Sequence, residues 1–179
     1  YNSGKEPKEF LWNAKPRFGK TLTSYDFVRK INAKNVLIVT NRPAIANSWF
    51  DDFKKFISWQ ETGMKFVSET DSLKGKALSR EDFIDFLNST DHENPSQITF
   101  ISLQDLKGAK FAGGGYKKLE WVGQLNWDLL IIDEAHEGVD TVKTDVAFDK
   151  IKRNFTLHLS GTPFKALANN KFNEDQIFN

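Results

Sequence analysis

Gly19-Lys20-Thr21 and Asp133-Glu134 are the residues of this 179-residue chain whose types and spacing could do chemistry. A glycine, a lysine and a hydroxyl in that order, ahead of an amphipathic run, are what a phosphate-cradling loop needs. Gly19 lets the backbone approach a phosphate with no Cβ in the way. The amides around Phe18–Thr21 would face a helix N-terminus, which attracts anions. Lys20 can reach β- and γ-phosphates, and the Thr21 hydroxyl can ligate Mg²⁺. The loop opens at Ala14 and runs through Pro16, Arg17 and Phe18. Glycine is the usual opening residue, but a methyl group is tolerated where a strand turns into the loop. The pattern arises by chance in about one chain in a hundred of this length. A strand ahead and a helix behind are the context that sharpens it. A plain strand–turn–helix with glycine at the turn would leave the same letters.

The second group ends the run Leu129–His136, "LLIIDEAH". A buried strand that stops at two carboxylates delivers them to the carboxyl edge of a parallel sheet, where ligands bind. Asp133 would hold Mg²⁺ through its water shell, and Glu134 would orient and deprotonate an attacking water. Solvated acids at a strand end are the plain alternative. It loses ground because loop and acids stand in the order that a phosphate-loop ATPase requires. A third group, Ser160-Gly161-Thr162-Pro163, follows another apolar run. Ser160 and Thr162 could hydrogen-bond His136 or the γ-phosphate side of the site, although alone the tetrapeptide reads as a turn.

The elements that must position these groups follow from periodicity. Glu9–Ala14 is a short apolar run that ends at the loop. The stretch after Lys20 places Leu22, Tyr25, Phe27 and Val28 at helical spacing. Asn35–Thr40, "NVLIVT", is continuous and β-branched, the signature of a parallel strand buried on both faces. Pro43 can start the next helix, with Ile45, Trp49, Phe53, Phe56 and Ile57 as its stripe. "MKFVSE" is a weaker strand. Ser79 and Asp82 form a capping box ahead of a helix. Gln97–Leu103, Trp127–Asp133 and Asn154–Ser160 are further strands, and a helix covers Asp140–Ile151. Strands alternating with helices predict a three-layer α/β/α domain around a mostly parallel sheet. Asn88–Gln97 is a polar loop. Lys107–Lys118 is glycine-rich and basic, and reads as a mobile surface loop or as a flexible arm touching a phosphate backbone. The tail from Asn169 has no pattern.

Bulk composition bounds the rest. Hydrophobic residues make up 39% and charged residues 27%, with 16 Phe and 5 Trp, as in a globular domain with a large aromatic core. The formal charge of +1 neither demands nor excludes a nucleic-acid partner. With no cysteine, disulfides and thiol nucleophiles are excluded, and a reducing, cytoplasmic setting is expected. No apolar run approaches the roughly 18 residues of a membrane span. The chain starts at Tyr1 and its one methionine, Met64, is internal, so a piece of a longer protein is expected.

"AKPRFGKT", "DEAH" and "SGTP" together resemble motifs I, II and III of superfamily-two helicases and DNA translocases. "PRFGKT" with "WDLLIIDEAHEG" looks most like the motor subunits of type I and type III restriction enzymes. The resemblance covers the chain from its first strand to about Pro163. It implies a RecA-like fold and ATP with Mg²⁺ as cofactors. "TNRPAIANSW" resembles motif Ia, which implies that Thr40, Asn41 and Arg42 lie along nucleic acid. "ISLQDL" resembles the next such segment, implicating Ser102 and Gln104. His136 resembles the residue that couples the ATP site to motif III. The pattern departs at Gly161, where alanine is common. Nothing resembles the later motifs of a second RecA-like domain, or the upstream segment that reads adenine. Residues 1–179 are therefore expected to be the first of two motor domains. The expected partners are double-stranded DNA, the second domain of the same chain, and nuclease and methyltransferase or specificity components. A DEAH-type RNA helicase domain and a non-enzymatic nucleotide-binding interaction domain are the competing readings. The retained Lys20, Thr21, Asp133 and Glu134 speak against the second.

Overall fold

The computed structural model describes residues 8–13, 19–60, 63–89, 91, 94–133, 141–161 and 177–178. Among these residues seven strands form one sheet: β1 (Lys8–Asn13), β2 (Asn35–Thr40), β3 (Met64–Val67), β4 (Ser96–Ser102), β5 (Trp127–Asp133), β6 (Arg153–Ser160) and β7 (Ile177–Phe178). Their order is β3-β4-β2-β5-β6-β1-β7, and every pairing among the described residues is parallel.

Period-two alternation splits the apolar residues of the central strands between two cores. Val36, Ile38, Leu129 and Ile131 face one side, and Leu37, Val39, Leu130 and Ile132 the other. Helices α1 (Lys20–Lys30) and α2 (Ala46–Phe56) cover the first face with Tyr25, Val28, Trp49 and Phe53. Helices α4 (Leu103–Gly108), α5 (Glu120–Gln124) and α6 (Thr141–Asp149) cover the second with Leu103, Leu106, Val122, Ala147 and Phe148. The expected three layers are present. Helix α3 (Arg80–Ser89) packs beside β3. Among the described residues no helix is long and apolar enough to cross a membrane.

Local chemistry sets the helix ends. Helix α1 stops in a Schellman arrangement, with Ala33 N–H on the Val28 carbonyl and Asn32 N–H on that of Arg29. Asn32 takes the left-handed position there, φ 52°. The capping box forms reciprocally: Asp82 N–H donates to Ser79 Oγ at 3.0 Å, and Ser79 N–H donates to Asp82 Oδ2 at 3.1 Å. Asp128 Oδ2 accepts from the amides of Lys34 and Asn35, fixing the start of β2 beside β5.

Three expectations are corrected. Leu22 is exposed, and the inner face of α1 is Thr21, Ser24, Tyr25 and Val28. Small polar residues pack where the helix start meets the sheet edge, so hydrophobicity alone misplaces the face. Pro43 opens a 3₁₀ turn over Pro43–Ile45, and the α-helix starts only at Ala46. Of the α2 stripe, Trp49, Phe53 and Ile57 are buried, while Phe56 is exposed.

The stretch Lys107–Lys118 is a closed loop. Lys110 N–H donates to the Tyr116 carbonyl and Tyr116 N–H to that of Gly108, and the Gly114 amide reaches Ala109. A Cβ on Gly114 would lie 2.3 Å from the Gly108 carbonyl carbon, so only glycine lets the two backbone segments touch. The tail supplies β7, whose Ile177 and Phe178 pair with Leu11 and Trp12.

Candidate active site

The sheet register collects the chemical groups. Asn13, the last residue of β1, pairs with Ser160, the last of β6. Asp133, the last of β5, pairs with Leu159 on one side and Thr40 on the other, and Thr40 in turn pairs with Ser102. Asp133, Thr40 and Ser102 therefore share one row at the carboxyl edge, and Asn13 and Ser160 stand one residue beyond it. Strands lie about 4.8 Å apart, so Ser102 is about 10 Å from Asp133 along that row. β6 lies between β1 and β5, which sets Ser160 between the loop strand and the acid strand.

Lys20 and Asp133 meet at this edge. Lys20 Nζ donates to Asp133 Oδ1 at 2.8 Å, joining residues 113 apart in sequence. The carboxylate side chain is fully buried and that of the lysine is 19% exposed. A buried carboxylate costs several kcal/mol unless it is paired and hydrogen-bonded. Here the other oxygen is also satisfied: Trp49 Nε1 donates to Asp133 Oδ2 at 3.1 Å. Trp49 is itself fixed by α1. The Tyr25 hydroxyl donates to the Trp49 carbonyl, and the Tyr25 ring meets the indole edge-on at 5.5 Å between centroids. Burial first, and then the Asp52 charge, holds the Tyr25 phenol well above its usual range, so it remains a donor.

Gly19 precedes α1 with φ 63° and ψ 30°, and a Cβ there would meet nothing within 4 Å. The demand for glycine is thus conformational: the left-handed turn into the helix disfavours a side chain even where space is open. Thr21 is buried at the start of the same helix. A buried carboxylate and a helix-start hydroxyl fit Mg²⁺, which takes one or two protein ligands and completes its shell with water and phosphate oxygens. Among the described residues no group of three or more His, Asp or Glu could hold a metal by itself. Ala14, Pro16, Arg17, Phe18, Glu134, His136 and Thr162 lie outside the described residues.

On the β2–β4 side, the side chains divide by exposure. Arg42 and Gln104 are exposed and Asn41 is half-buried. Thr40 is buried, its hydroxyl accepting the Arg42 N–H at 3.1 Å. Ser102 is buried and caps α4, accepting the Asp105 N–H at 3.0 Å and donating to Asp105 Oδ2 at 2.9 Å. Asp105 Oδ1 accepts from Lys118 Nζ at 2.6 Å, which ties the glycine loop to the Ser102 cap. Gln104 Nε2 lies 3.5 Å from the Asn41 carbonyl, so the two strand-end segments touch.

Sequence reasoning missed the part of Trp49. Its place in the α2 stripe marked it as core, yet an indole N–H buried in a core demands an acceptor. That demand was the available signal; the acceptor, 84 residues away, is set by the fold.

A family model described as "Type III restriction enzyme, res subunit" matches residues 5–165. A Mycoplasma pneumoniae protein, named provisionally as the C-terminus of a type II restriction enzyme and methyltransferase, is 27% identical over 219 aligned residues. The alignment takes in 99% of this chain and 28% of that protein, so the chain spans little more than a quarter of its relative's length. Among solved structures, the UvsW helicase of bacteriophage T4 superposes with a TM-score of 0.55 at 17% identity, over 89% of this chain and 49% of that one. A second T4 UvsW structure gives 0.53 at 17% identity, over 86% and 26%. These likenesses show the RecA-like fold.

Proposed function

The chain belongs to the family of type III restriction enzyme res subunits, and on that footing we propose that it is the first of two RecA-like motor domains, binding Mg·ATP as half of a DNA-dependent ATPase. The observation that carries this reading is the Lys20–Asp133 contact at 2.8 Å, which brings the two chemical motifs to one strand-end row. In the reading, Lys20 turns from Asp133 to the β- and γ-phosphates of the nucleotide. Thr21 and Asp133 would hold Mg²⁺, which neutralises charge on the phosphate oxygens. Glu134 would take the proton of the attacking water. Ser160, Thr162 and His136 would stand on the γ-phosphate side, and Ala14–Phe18 would complete the cradle. Asn41, Arg42 and Gln104 would meet the backbone of double-stranded DNA, with Thr40 and Ser102 shaping the turns that present them. A second motor domain would supply the arginine that completes the site, and hydrolysis would open and close the cleft between the two. Attached nuclease and methyltransferase or specificity components would make the motor part of a cytoplasmic restriction system.

The test is calorimetry of the chain with a non-hydrolysable ATP analogue, followed by steady-state ATPase with and without duplex DNA. Weak binding is expected, together with turnover reduced by the about 10³–10⁵-fold that an arginine finger is worth. Absence of nucleotide binding would sink the phosphate-loop reading. Brisk DNA-stimulated turnover from a verified monomer would sink the half-motor reading.

A further inference from the structure

We propose that Trp49 is a positioning residue for the metal-binding carboxylate: its indole N–H pins Asp133 Oδ2, leaving Oδ1 as the oxygen that exchanges Lys20 for the hydrated metal ion. This rests on the Mg·ATP reading above and deepens it.

The geometry separates Trp49 from an ordinary core tryptophan. The buried Trp127 and the exposed Trp59 both donate their indole N–H groups to backbone carbonyls, those of Val122 and Lys55, at 2.9 Å each. Trp49 donates instead to a side-chain carboxylate that is itself fully buried, at 3.1 Å. A carboxylate at a strand end turns about its terminal torsion in a broad, roughly two-fold well. A donor fixed on one oxygen removes that freedom, provided the donor is fixed as well. Trp49 is fixed twice from α1, through its carbonyl by the Tyr25 hydroxyl and through its ring by the edge-on phenol. Lys20, which holds the other oxygen, lies on the same helix. Lys20, Asp133, Trp49 and Tyr25 make a closed circuit through α1, α2 and β5, in which Lys20 is a long flexible arm and Trp49 and Tyr25 are rigid rings.

The two oxygens therefore have unequal roles. Oδ1 faces a mobile ammonium that can leave for a phosphate. Oδ2 faces an indole that cannot leave without unpacking the core. The direction in which Asp133 presents Oδ1 is set in advance, so the ordering cost of aiming the carboxylate is not met at the moment of metal binding. Trp49 also sits on the helix that follows Thr40–Arg42, so the carboxylate is referred to the element leading from that strand end.

The experiment compares the wild-type chain with Trp49→Phe by calorimetry. Each is titrated with a non-hydrolysable ATP analogue, once with saturating Mg²⁺ and once with chelator. The readout is the ratio of the two affinities, which a general loss of packing does not change. Direct Mn²⁺ binding, followed by electron paramagnetic resonance with ADP present, gives a second readout. The ratio is expected to fall about tenfold in Trp49→Phe, the scale of one hydrogen bond to a charged group. Metal-free affinity should stay within about twofold, because Lys20 still meets the phosphates. If Trp49→Phe does not fold, benzothienylalanine at position 49, which replaces the N–H by sulfur at nearly constant shape, serves in its place. An unchanged ratio, or equal losses with and without metal, overturns the positioning role and leaves the Mg·ATP reading standing. A wild-type chain that gains nothing from Mg²⁺ overturns both.

Discussion

Two lysine–aspartate pairs stand at the carboxyl edge of the sheet, nearly equal in length and opposite in setting. Lys20–Asp133 spans 2.8 Å with the carboxylate buried. Lys118–Asp105 spans 2.6 Å with its side chains 44% and 45% exposed. An exposed pair contributes about 0–1 kcal/mol, since water solvates both charges well and salt screens them. Breaking a buried pair strands a charge and costs about 3–5 kcal/mol, although the intact pair stabilises little over an apolar replacement. Distance alone thus says nothing about what a pair is for. The exposed pair fastens the glycine loop to the Ser102 cap. The buried one holds a charge where a core would do without it, which is the arrangement expected of a group kept for chemistry.

The widest separation between the two should come from parallel alanine variants. Lys20→Ala is expected to cost about 3 kcal/mol in urea unfolding, because it removes the cation that faces the buried Asp133 carboxylate. It should also remove most of the affinity for an ATP analogue. If Lys20→Ala were as stable as wild type, Asp133 would be better solvated than its burial indicates.

Gly114→Ala probes the exposed side through its backbone. The added methyl meets the Gly108 carbonyl at under 3 Å. A loss of about 2 kcal/mol is expected, confined to the Lys107–Lys118 loop and leaving nucleotide affinity untouched. Coupled loss of nucleotide binding would mean that the two sides of the edge are not independent.

Lys118→Ala should cost less than about 0.5 kcal/mol, and less still in 0.5 M salt. A double-mutant cycle with Asp105→Ala gives the pair's own coupling; a value comparable to that of Lys20 would erase the contrast.

The smallest effect lies at the capping box. The backbone N–H of Ser79, and then its hydroxyl, hold the Asp82 carboxyl below the usual carboxylate range. The sign follows: a depressed value contributes stability above about pH 4, lost as the pH falls through it. Asp82→Asn should therefore melt slightly lower than wild type at neutral pH and converge with it in acid, which flattens the acid limb of a melting-temperature profile. An identical acid limb in both proteins would remove Asp82 from the account.

Legibility followed the range of the interactions. Strand β5 was readable to the residue, because Leu129–Ile132 is continuous and Asp133 ends it. The Ser79–Asp82 box was readable because both partners lie within one turn. Motif order suggested one site for Lys20 and Asp133, but not their direct contact, since the lysine was expected on phosphates and the carboxylate on a metal ion. What escaped was tertiary. Helix α4 hides in "LQDLKG", where Leu103 continues an apolar strand and the cap is a serine inside it. The closure of the Lys107–Lys118 loop depends on Gly108 and Gly114 meeting, which composition reads as looseness. Trp49 met the helical pattern correctly, and its acceptor lay on another element. Gly19 was expected for a steric reason, room for a phosphate, where the backbone supplies a conformational one, a left-handed turn into the helix.

The row of strand ends also works as a gauge block. Asp133, Thr40 and Ser102 are neighbours across hydrogen-bonded parallel strands whose two faces are both packed. Such a ladder bends as a unit and does not lengthen between adjacent rungs. The spacing from the carboxylate to the β4 end is therefore a constant of the register, the same at every stage of any working cycle. Movement between those points has to be carried by side chains and helices hung on the row. An insertion in β2 would break the gauge at once, turning Val36–Val39 to the wrong faces and displacing Thr40 by one residue's rise, about 3.3 Å.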